Sequence, residues 1–101
     1  MTDEAKNELI CNMTENIVVL RTKLNITQSE LASRIGVSRH TLMAIENKQR
    51  IMTWGTFLSL LLLFTKNSGT NQLLNVLGIY TDELNRYLKI ESGKDIVTKN
   101  K

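Results

Sequence analysis

A chain of 101 residues with net charge +3, 42% hydrophobic and 23% charged residues, has the size and composition of one soluble globular domain, with no room for a second. Its single cysteine, Cys11, excludes an internal disulfide, and no Cys/His cluster offers a metal site, so Cys11 reads as a small apolar residue of the interior. The acidic start MTDEAKNEL resembles no leader, and the longest apolar stretch, Phe57–Phe64 broken by Ser59, is too short to span a membrane; a cytoplasmic protein is expected.

Five glycines, no proline and no alternating β-branched runs predict an all-α fold. From Asp3 to Leu24 the residues Leu9, Met13, Ile17, Leu20 and Leu24 recur at helical spacing, the stripe of an extended first helix. Asn25-Ile26 breaks it. Thr27 with Glu30 forms a capping box, which starts a second helix over Gln28–Ile35. Gly36 ends that helix, Ser38 caps a third from Arg39 to about Asn47, and Thr53 opens a fourth reaching Phe64 or Lys66. The run Trp54–Phe64 is apolar nearly all round, so other helices of the chain or a second subunit must cover it. Asn67–Thr70 reads as a turn, Asn71–Leu77 as a short helix, and Thr81 or Asp82 begins a last one to about Lys89. Residues 1–92 are therefore expected to form one helical domain with a helix-turn-helix at 28–47, and 93–101 a polar, flexible tail that begins to fray at Ser92.

Charge is uneven along this plan. Residues 1–15 carry one Lys against four acids, whereas 16–53 carry Arg21, Lys23, Arg34, Arg39, Lys48 and Arg50 against Glu30 and Glu46. A positive segment inside a nearly balanced chain is what docking on phosphates requires.

In the window 28–47, the apolar residues Leu31, Ile35, Val37, Leu42 and Ile45 lie where two short helices must lock onto a first. Ala32 is small where the helix backbones approach, and Gly36 tolerates the positive φ of a tight turn. This pattern, with Leu20-Arg21-Thr22-Lys23-Leu24 before it and Ile45-Glu46-Asn47 at its end, resembles the Cro/CI-type, XRE-like repressors of phages and bacteria over about 16–64.

The resemblance implies a lambda-repressor-like domain of about five core helices, with the extended first helix and a short C-terminal helix as additions, that binds double-stranded DNA. It implies base reading by Arg39, His40 and Ala44. Arg39 suits a bidentate pair with guanine, and the Ala44 methyl a thymine methyl. It implies phosphate contacts from Thr27, Gln28, Ser38, Thr41, Asn47, Lys48 and Arg50, and a partly buried salt bridge between Arg21 and Glu46. One departure stands out: Lys48-Gln49-Arg50 follows Glu-Asn where the family has a glycine and soon a proline, so the loop is expected to turn at Asn47.

No nucleophile-base pair, phosphate loop or paired carboxylates point to an enzyme, and no cofactor or small-molecule ligand is implied. The expected function is a sequence-specific transcriptional regulator, a repressor, acting as a homodimer. Two alternatives keep the fold: an antitoxin whose C-terminal part also binds a toxin, and an interaction module that has lost DNA binding. Binding to random duplex that weakens as salt rises separates the DNA-binding readings from the last.

Overall fold

Six helices, each opened by a hydroxyl or amide side chain, make up the regular structure of the 90 residues, 1–90, that the computed structural model describes. They are α1 (Asp3–Leu24), α2 (Gln28–Ile35), α3 (Arg39–Glu46), α4 (Trp54–Thr65), α5 (Ser68–Val76) and α6 (Asp82–Leu88). The N-caps are Thr2, Thr27, Ser38, Thr53, Asn67 and Thr81, each with a side-chain oxygen accepting a backbone N–H two or three residues on. Each such cap stabilises its helix by about 1 kcal/mol relative to alanine. The fold is all-α, as expected, and no helix among the described residues is long and apolar enough to cross a membrane. The tail expected over 93–101, with its fraying from Ser92, lies outside the described residues.

The stripe on α1 buries Leu9, Met13, Ile17 and Leu20, and α3, α4 and α5 all pack on this helix. Leu31, Ala32, Leu42 and Ile45 close the core from α2 and α3, with Ile35 and Val37 partly buried at its edge. The apolar surplus of α4 is covered mostly within the chain. Phe57, Leu60, Leu61 and Phe64 are buried and Trp54, Leu58 and Leu63 partly so, while Leu62 faces out. The first half of α1 is held by polar contacts as well. Lys6 Nζ lies 5.2 Å from the ring centres of both Trp54 and Tyr87, joining α1 to α4 and α6. Asn12 Nδ2 donates to the Gly78 carbonyl at 3.0 Å.

Three local expectations need correction. First, α5 begins at Ser68 rather than Asn71, so the expected turn is in fact its first helical turn. Asn67 Oδ1 accepts from the Gly69 and Thr70 N–H groups, and the buried Thr70 hydroxyl donates to the Phe64 carbonyl at 2.6 Å, folding the chain straight from α4 into α5. Second, Cys11 is exposed on α1 rather than interior. Third, the loop after α3 turns at Lys48 (φ 63°), not at Asn47 (φ −85°). Lys48 thus takes the left-handed place where the family has glycine, which costs a non-glycine residue about 1–2 kcal/mol. Lys48 Nζ lies 2.9 Å from Glu15 Oε2 of α1, but such an exposed ion pair returns only about 0–1 kcal/mol, so stability alone does not account for a lysine there.

Gly36, at φ 80°, makes the turn between α2 and α3, and a Cβ added to it would meet nothing within 4 Å. Substitution there is strained by the backbone alone. Gly36→Val is expected to cost about 1–3 kcal/mol, read as a melting temperature lowered by roughly 4–8 °C per kcal/mol. An unchanged melting curve contradicts this account of the turn.

Candidate nucleic-acid interface

The positive face is built where the starts of α2 and α3 and the loop after α3 come together. Gly36 and Val37 bring α3 back across α2, with the Val37 N–H donating to the Ala32 carbonyl at 3.0 Å. Ala32 is buried at this crossing, where a larger side chain would push the helices apart. Ser38 Oγ accepts the Thr41 N–H at 3.0 Å and lies 3.0 Å from Thr41 Oγ1, which takes its hydroxyl hydrogen. The N-terminal turn of α3 is thereby fixed, and it presents Arg39 and His40 exposed, with Ala44 half-buried one turn on.

Behind this turn lies a carboxylate that joins three helices. Arg21 on α1 donates from Nε to Glu46 Oε2 at 2.9 Å and from Nη2 to Oε1 at 3.1 Å. Gln28, first residue of α2, donates from Nε2 to the same Oε1 at 2.8 Å. A carboxylate only accepts, so the amide must turn its NH2 group toward it. Arg21 Nη1 also donates to the Ile26 carbonyl at 3.2 Å, fastening the α1–α2 connection. The Glu46 side chain is 3% exposed and that of Arg21 18%, so the pair is largely withdrawn from water.

The resemblance implies a phosphate contact for Gln28. In the free protein its amide faces Glu46, which leaves the second amide hydrogen and the N–H groups at the start of α2 for an anion. Arg21, Thr27, Gln28, Ser29 and Arg39 line a hollow of about 550 Å³ at this point. The positive end of α2 opens into the same hollow, so an anion there is favoured by both dipole and guanidinium charge. Ser29 was not singled out from the sequence, although its place beside Gln28 in a capped first turn was the available signal. Asn47, Lys48 and Arg50 are exposed along the loop that borders the face. Lys48 Nζ is engaged by Glu15 of α1, at 2.9 Å from Oε2 and 3.0 Å from Oε1, a pairing no motif announced. Arg39 and Arg50 have no ion-pair partner among the described residues. Among those residues no group of three or more His, Cys, Asp or Glu side chains is placed to hold a metal ion.

Removing the Glu46 carboxylate would leave the Arg21 guanidinium largely buried and unpaired. Breaking such a pair costs about 3–5 kcal/mol, and the exposure Arg21 retains puts Glu46→Ala near the lower figure, about 3 kcal/mol. Urea unfolding measures it, and a midpoint equal to that of the parent protein contradicts a structural role for the pair.

A family model described as a helix-turn-helix domain matches residues 14–86, from the second half of α1 into α6. No curated protein and no solved structure compared with the chain matches it. The family match thus takes in all of α2 and α3, the Arg21–Glu46 pair and α4–α5, and leaves out the first half of α1 and the residues after Arg86. The chain belongs to the XRE-like helix-turn-helix family, whose defining element is a DNA-binding domain.

Proposed function

We propose that the protein is a sequence-specific regulator of transcription, a repressor, that binds duplex DNA as a homodimer with α3 in the major groove. The observation that carries this reading is the first turn of α3, which presents Arg39 and His40 exposed at the anion-suited hollow at the start of α2 that Arg39 helps to line. On this reading Arg39, His40 and Ala44 meet base edges. Thr27, Gln28, Ser38, Thr41, Asn47, Lys48 and Arg50 meet the flanking phosphates, which fix register without reading sequence. Repression is the simplest consequence, because a small domain seated on DNA blocks other proteins by occupancy alone.

One such unit reads only about four base pairs, so a specific site requires a second unit about 34 Å away in the next major groove. A second copy of this chain is the simplest source. Leu62, Tyr87, Leu88 and Ile90, on α4 and around α6, are among the large apolar residues left exposed, and self-association is placed on them.

Selection of bound duplexes from a random pool tests the reading as a whole. It is expected to return a palindrome with half-sites one helical turn apart. Arg39→Ala is expected to weaken binding to that site by about 1–3 kcal/mol and to relax preference at one base pair in each half. Full affinity with an unchanged selected sequence removes Arg39 as a reader. Sedimentation with and without the duplex is expected to show two chains per site; one chain bound per duplex contradicts the homodimer.

A further inference from the structure

The pair Lys48–Glu15 has a consequence for how tightly the face holds DNA of any sequence. We propose that Glu15 occupies Lys48 in the free protein in place of a DNA phosphate, so that binding must exchange a carboxylate for a phosphate at this lysine. The proposal rests on the DNA-binding reading above and adds to it an acidic residue that lowers non-specific affinity.

The geometry is specific. The loop is pinned by backbone bonds from Lys48 N to the Ile45 carbonyl at 3.0 Å and from Gln49 N and Arg50 N to the Ala44 carbonyl at 2.8 and 3.2 Å. With φ fixed at 63°, the direction in which the Lys48 side chain leaves the loop is fixed as well. It leads to Glu15, 33 residues earlier, whose two oxygens both lie within 3.0 Å of Nζ. Both side chains keep more than half their surface in water, at 58% and 53%, so a phosphate can reach the lysine without any change of fold.

Charge decides the sign. Free Lys48 would add one cation to a face that already holds Arg39 and Arg50 without ion-pair partners among the described residues. Paired, it adds none until DNA arrives. After the exchange Glu15 stays close to the phosphate backbone, where its charge opposes binding. Base contacts in the major groove are made by other residues and are not weakened, so the effect falls on every sequence alike.

The test uses the full chain and a labelled random-sequence duplex, with anisotropy read from 50 to 200 mM salt. Glu15→Gln keeps shape and removes charge. It is expected to tighten binding about three- to fivefold at 50 mM, the size of one nearby unit charge in water. It should also steepen the plot of log affinity against log salt, by at most about one, because no freed Glu15 carboxylate then takes up a cation to offset the one that Lys48 displaces from the DNA. In a Lys48→Ala background the same change is expected to give a clearly smaller gain, no larger than that of Glu83→Gln on α6, an equal loss of charge elsewhere. The melting temperature should stay within about a degree, since exposed pairs contribute little. Unchanged affinity and slope in Glu15→Gln overturn the proposal, as does an equal gain without Lys48. If the parent protein fails to bind the duplex at 50 mM, the DNA-binding reading itself falls and the proposal with it.

Discussion

The Glu46 carboxylate, 3% exposed, accepts three hydrogen bonds from two other helices, and the placement of α3 against the start of α2 follows from that arrangement. A buried carboxylate is costly unless its oxygens are satisfied, so α3 can sit only where Arg21 of α1 and Gln28 of α2 both reach it. The buried apolar residues Leu31, Leu42 and Ile45 hold α2 and α3 on the core, but hydrophobic contact is not directional. The bidentate guanidinium and the Gln28 amide supply direction. They set the end of α3 against the start of α2, and with it the distance between Arg39 and the α2 N-terminus that both line the same hollow.

Polar residues of α1 are used at three separate places, Lys6 and Asn12 in the half that lies outside the family match and Glu15 just inside it. Lys6 lies between the Trp54 and Tyr87 rings, Asn12 holds the Gly78 carbonyl, and Glu15 faces Lys48. The first two fasten α4, α5 and α6 to one continuous strut and so help cover the apolar α4 without a partner. The third reaches the loop after α3. One long helix therefore couples the support of the C-terminal half to the electrostatics of the binding surface.

Helix positions were legible in the sequence because each cap is written in one residue type with a known geometry. Thr27, Ser38, Thr53 and Thr81 start their helices as expected. Asn67 misled because the string that follows it, Ser68-Gly69-Thr70, has the composition of a turn. The buried Thr70 hydroxyl, a tertiary contact, makes it helix instead. The left-handed residue was expected at Asn47 on local propensity, whereas the loop's bonds to Ala44 and Ile45 put the strain on Lys48. Arg21 and Glu46 were matched through the family pattern, but the third member of their network, Gln28, was not tied to them, because 18 residues separate Gln28 from Glu46 and no periodicity links them. Glu15–Lys48 and Lys6–Trp54–Tyr87 were invisible for the same reason: they depend on how the extended helix lies over the loops and on the core.

The claim on which the account turns is that the starts of α2 and α3 and the loop after α3 form one surface that meets DNA. Titrating isotope-labelled protein with a short duplex carrying a single half-site, and following backbone amide resonances, tests it directly. The account predicts that shifts concentrate at 27–29, 38–44 and 47–51, with those of α5 and α6 little changed. Shifts confined to α4–α6 with α3 unaffected would contradict it.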